Sequence, residues 1–359
     1  MKKYYKLFVP VAVAGLFMIP ASTYAGNPDR VGQAGATELL INPWARSSGW
    51  AGANTAGIKG LESMNSNVAG IAFTRKTELM FDRTQWLKGT DININSFGLT
   101  QHVGETGAIG LSIMSMDFGD IPITTVEQPE GGLGTYSPQF LNIGLSYAKG
   151  FSDNIYGGMT LRVITEKTAS VSARGIALDA GIQYITGKYD QLKFGISLKN
   201  VGPRMKFSGD GLSFKTPVPA ATNSASMMTV EQRAATFELP SQLNIGAGYD
   251  FYLSKDSVKM KTNRITAMGT FTSNSFSKDE FKLGVEYGWK NMLMLRVGYC
   301  YEKGITSKAD RTTVFTGPSA GFTVEIPFGK NKSTFGIDYS YRDTDPFQGV
   351  HTLGVRINL

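Results

Sequence analysis

Side chains able to do chemistry are few in this chain, and none stands in a productive pattern. The two histidines, His102 and His351, are far apart, and no HExxH or other metal-ligand spacing surrounds either one. Each falls at the end of an alternating segment, where a polar side chain needs no special role. Cys300 is the single cysteine, so an internal disulfide is excluded. It has no histidine beside it to generate a thiolate nucleophile. The stretches SFSK at 275–278 and SDN at 152–154 echo two of the three motifs of penicillin-binding serine enzymes. They occur in the wrong order, in expected turns and without the third motif. The glycines of GGLG at 131–134 precede no helix, so they make no phosphate cradle. With no nucleophile–base pair, no ligand set and no cofactor motif, the expected function is non-enzymatic.

A second group of charges does have a pattern. Arg162, Asp179, Lys193, Lys199, Asp250, Glu286, Arg296, Asp338 and Arg356 all lie on the polar phase of segments that alternate with period two. In HTLGVRINL, Leu353, Val355, Ile357 and Leu359 alternate with Thr352, Gly354, Arg356 and Asn358. QFLNIGLSYA and FKLGVEYGW repeat the design, with aromatics gathered at the ends. One face is wholly apolar and the other is too polar for the core of a sandwich. The charges therefore need a wet interior or each other.

Fourteen such strands are expected, over 77–87, 91–103, 106–117, 138–149, 154–166, 174–186, 190–201, 241–252, 263–274, 279–289, 291–303, 317–328, 331–342 and 349–359. Most are long enough to cross an outer membrane when tilted. In the second strand, Ile92 and Ile94 keep one phase while Phe97 and Leu99 keep the other, which predicts a bulge. Link lengths test the count. Even-numbered links are short, 253–262 excepted, whereas odd-numbered links include 118–137, 202–240 and 304–316, the three longest. That parity is expected of an outer-membrane barrel with both termini in the periplasm.

Composition agrees. Charged residues are 18%, below the usual quarter or so, with 42 Gly, 15 Tyr and 21 Phe. Mean hydropathy is only −0.12, and past the first residues no apolar run is long enough for a membrane helix. Residues 1–25 read as a Sec-type signal peptide. Lys2, Lys3 and Lys6 precede an apolar run over 7–19, and Thr23 and Ala25 frame a small-x-small cleavage site. Removing those three lysines takes the formal charge from +7 to +4, which points to no nucleic-acid partner.

Two segments fit no strand. ELLINPWARSSGWAGANTA at 38–56, followed by SNVAGIAF at 66–73, is rich in small residues with two tryptophans. Residues 26–76 are expected to form a hatch inside a barrel spanning 77–359. Trp44 and Trp50 would fill volume, and Arg46 would pair with an inward carboxylate such as Asp179, Glu286 or Asp338. The loop 202–240 carries Phe207, Leu212, Phe214, Met227, Met228 and Phe237, an apolar, Met-rich set suited to binding a partner or to folding over the barrel mouth.

An all-β, fourteen-stranded antiparallel transmembrane barrel with such a hatch resembles the FadL-like outer-membrane proteins. More narrowly, Leu39, Leu40, Pro43, Ala45, Arg46, Gly49, Gly52 and Ala53, then Asn67, Ala69, Gly70 and Ala72, resemble the hatch motifs of the PorV/PorQ family of the type IX secretion system. Val68 stands where that family usually has proline. The PorV/PorQ resemblance implies a Bacteroidota-type outer membrane and protein partners at the cell surface. These would be the large translocon barrel, the C-terminal domains of secreted cargo and the subunits of an attachment complex. The FadL-like resemblance alone implies instead a channel for hydrophobic small molecules.

Overall fold

The computed structural model describes residues 26–218, 227–253, 263–328 and 333–359; the signal-peptide reading of 1–25 lies outside them. Fourteen strands close into one antiparallel barrel. They are β1 Thr77–Gln85, β2 Asn93–Val103, β3 Gly107–Asp117, β4 Gln139–Gly150, β5 Ile155–Thr168, β6 Val171–Thr186 and β7 Leu192–Val201. The ring continues with β8 Gln242–Tyr252, β9 Arg264–Asn274, β10 Glu280–Trp289, β11 Leu293–Glu302, β12 Phe315–Phe328, β13 Ser333–Thr344 and β14 Val350–Asn358. Each pairs with its sequence neighbours, and β1 pairs with β14 from Glu78↔Asn358 to Gln85↔His351, which seals the ring. Every strand end lies within three residues of its expected place.

The strands exist because period-two alternation offers each face its own solvent. Leu145, Tyr147, Met159, Leu161, Val163, Ile182, Ile196, Leu283 and Val297 point outward and exposed, forming an apolar belt for lipid. Asn142, Ser146, Thr160, Asp179, Ser197, Glu286 and Asp338 point inward and are buried. Among the described residues no helix is long and apolar enough to cross a membrane.

Because the strands antiparallel one another, the odd links gather at one end, the loop end. The even links, the start of β1 and the close of β14 share the other, the turn end. The expected bulge in β2 is absent, since β1 and β2 pair without a break from Thr77↔Gln101 to Gln85↔Asn93. Ile94 simply faces inward and is fully buried against Ile41. Ladder irregularities fall instead between Leu178 and Ala180 of β6 and between Phe315 and Ser319 of β12. The loop 202–240, expected to lack strands, holds a hairpin pairing Ser213–Pro217 with Met227–Glu231.

Candidate functional site: the lumen, its hatch and its two mouths

Residues 26–76 run through the lumen from the loop end to the turn end. At the loop end, Asn27 N–H donates to the Asn274 carbonyl at 3.3 Å, and Gly35 N–H donates to the Glu238 carbonyl at 3.1 Å. Arg30 stacks 4.1 Å from the Phe276 ring centroid and pairs with Glu238 at 3.1 Å. Residue 26 and Asn358 therefore lie at opposite ends of the barrel. Even parity constrains β1 and β14, not the segment ahead of them.

Below this, a single turn of helix, α1 Ala45–Gly49, begins at Trp44. Asp82 of β1 takes the Ala45 N–H at 2.7 Å, which satisfies one of the donors every helix start leaves open. Trp44 is buried against Leu61 and Met80. Trp50 packs on wall glycines: a Cβ on Gly284 would meet its ring at 2.6 Å, and one on Gly298 would meet its carbonyl carbon at 2.4 Å. Any side chain at Gly298 would push the hatch backbone out of place. Asn67 is fully buried, and its Nδ2 donates to the carbonyls of Thr55 at 3.1 Å and Ile182 at 3.0 Å, so one amide ties two parts of the hatch to the wall.

Arg46 does not reach the wall carboxylates expected for it. Its Nη2 lies 2.7 Å from Oε1 of Glu62, within the hatch itself. Glu62 Oε2 also accepts from Ser47 N–H at 3.0 Å and Ser47 Oγ at 2.7 Å. The wall acids are engaged by wall cations across one or two strands. Asp179 binds Arg162 at 2.6 Å, and Glu286 binds Arg296 at 2.6 Å and Arg264 at 2.8 Å. Asp338 accepts from Thr323 Oγ1 and lies 3.7 Å from Arg356 Nε. Neighbouring strands bring such partners close, so these three acids are held within the wall.

At the loop end the lumen changes character. Ala36, Leu39, Ile164, Ala173, Ala177, Met205 and Leu239 form one buried cluster, with Phe207 and Phe237 packed against it. Ile41, Ile94, Met114 and Met116 form a second, flanked by Trp86, Phe118 and Phe140. Fully burying a side chain of this kind contributes about 1.5–3 kcal/mol. Phe207 and Phe237, whose ring centroids are 5.6 Å apart, are half-buried against the first cluster. Leu212 is half-buried, whereas Phe214, Met227 and Met228 are exposed on the hairpin. Between the two clusters the Glu38 carboxyl lies beside Glu166 and Asn142, and neither of its buried oxygens has a hydrogen-bond partner among the described residues.

At the turn end the lumen opens as a cavity of about 740 Å³ lined by many charged side chains, floored by hatch residues Asn54, Gly57, Ile58 and Lys59. Glu38, Lys59, Glu62 and Asp82 were missed in the sequence. Only Asp82 carried a signal, its place on the polar phase of β1.

No family model matches the chain, and no curated protein matches it significantly. Solved structures do match. The Ralstonia pickettii toluene transporter TbuX aligns at a TM-score of 0.51 with 13% identity over 88% of this chain and 97% of its own. The deltaS2S3 mutant of the TodX monoaromatic hydrocarbon channel aligns at 0.55 with 11% identity over 88% and 98%. A Pseudomonas aeruginosa FadL homologue aligns at 0.50 with 11% identity over 88% and 98%. At such identities these likenesses show the fold alone: a fourteen-stranded antiparallel β-barrel of the kind seen in these three proteins.

Proposed function

We propose that this barrel is a FadL-like transport protein that admits small apolar molecules at its loop end. The observation that carries the reading is the pair of apolar clusters around Ile94, Met116, Ile164 and Met205 at the loop-end mouth, opposite the charge-lined cavity of the turn end. The likeness to barrels described as toluene and monoaromatic hydrocarbon transporters supports it. The recess at this mouth, lined by Leu40, Pro240 and Phe276 among others, measures about 60 Å³. An apolar cavity of about 150 Å³ holds benzene, so passage requires the segment around residues 28–41 to shift. In outer membranes bearing the protein, uptake of labelled toluene should exceed that of membranes without it. Met116→Asp, which places an unpaired charge in the cluster, should abolish the excess while leaving a heat-modifiable barrel. Equal uptake with and without the protein, or full uptake by that folded variant, would overturn the reading.

A second reading, a PorV-like role in type IX secretion, is favoured by the projecting hairpin with Phe214, Met227 and Met228 exposed. Deleting 213–231 spares Met205, Phe207 and Phe237 and should abolish capture of a cargo C-terminal domain. Unchanged capture, or none by the intact protein, would remove this reading.

A further inference from the structure

We propose that the turn-end cavity binds a small anion of the phosphate or carboxylate class, with Lys59 as its principal contact. At about 740 Å³ the cavity falls within the range of small-molecule sites. It lies on the far side of the hatch from the apolar clusters, so the inference stands apart from the transport reading. Its lining carries nine cationic side chains against six acidic ones. A cleft of one dominant sign, walled by low-dielectric protein, concentrates the opposite charge.

The cations differ in how they are held. Lys193 pairs with Asp250 at 2.6 Å. Arg264 and Arg296 share the single carboxylate of Glu286. Arg46 pairs with Glu62, and Arg356 with Glu325 at 2.9 Å. Lys59 makes no ion pair among the described residues; its ammonium sits 4.4 Å from the Phe73 ring centroid. It rises from the hatch floor facing the Lys193–Asp250 and Arg264–Glu286 pairs, with Asp190 at the rim. Its side chain opens onto the cavity, yet enclosure by the wall, followed by the charge of Lys193, lowers its pKa to about 8. An incoming anion supplies the counter-charge that the wall withholds, and Lys193 and Arg264 flank it without leaving their own partners.

The test uses the whole barrel in detergent, titrated calorimetrically with inorganic phosphate and separately with succinate at pH 7. Binding of at least one is expected. Lys59→Gln should weaken it by roughly tenfold, the value of one charged hydrogen bond, while Lys59→Arg keeps it. Arg204→Gln, at the loop end, should leave it unchanged. Heat-modifiable migration of each variant reports an intact barrel. Failure of the intact protein to bind either anion overturns the proposal, as does a folded Lys59→Gln variant that binds as the parent does. Preference for phosphate or for succinate identifies which anion the site takes.

Discussion

A chain lacking residues 42–57 is expected to conduct ions in planar bilayers where the intact protein stays closed. The wall presents Asn142, Ser146, Thr160, Thr266 and their neighbours inward, and a ring of fourteen strands is too wide for its own side chains to fill. The removed stretch carries Trp44 and Trp50, both buried, together with Ala45, Ala53 and Ala56, which are almost wholly buried. It also carries Gly49, whose Cα lies so near Gly321 that a Cβ would meet the strand backbone at 3.2 Å. Backbones that close leave no aqueous path, and deletion would leave one as wide as the segment. Heat-modifiable migration would show that the ring survives. The plug assignment fails if the intact barrel already conducts, or if the folded deletion remains closed.

The second large effect concerns pH. Burial, and next to it the Glu166 carboxylate, push the Glu38 pKa up from 4.5 to about 8. Two adjacent carboxyls between apolar clusters do not readily ionise together, so the pair keeps a proton. Among the described residues neither makes an ion pair with a Lys or Arg. In the folded state Glu38 thus holds a proton that it releases near pH 4.5 when undocked. The docked form binds more protons across that interval, so its stability falls as pH rises from about 4.5 to about 8 and then levels. A displacement of that size is worth several kcal/mol at the high end. Hydrogen exchange at the amides of 35–41 should accelerate markedly between pH 5 and pH 8, beyond the intrinsic increase. Glu38→Gln, which can donate to Glu166 at any pH, should flatten the profile and protect these amides at pH 8. A parental profile that follows intrinsic exchange alone, or a Glu38→Gln profile that matches it, would refute the retained proton.

The wall was legible because strands obey a rule of period two that local residues satisfy by themselves. HTLGVRINL sorts its own faces, with Leu353 and Val355 exposed and Thr352 and Arg356 buried. The hatch was legible only as an absence of that rule together with small residues. Its contacts depend on three-dimensional proximity: nothing local says that Arg46 meets Glu62 sixteen residues on rather than Asp338. Ile94 misled for a related reason. An apolar residue on the polar phase suggested a bulge, yet the partner that buries it, Ile41, lies in the segment without periodicity. Phe207 and Phe237 were grouped with Phe214 by composition, although the chain folds them inward and leaves Phe214 outside.

The seam between β1 and β14 joins the first strand of the wall to the last, while residue 26 and Thr77 lie at opposite ends of the ring it closes. The chain ahead of β1 is thus a thread already drawn through a hoop. Trp44 packs against Met80, and Trp50 against wall glycines. The expected order of assembly follows: the hatch is laid along the inner face of the growing sheet before the last strand finds the first. A wall assembled alone and offered the 26–76 segment afterwards would remain an empty hoop.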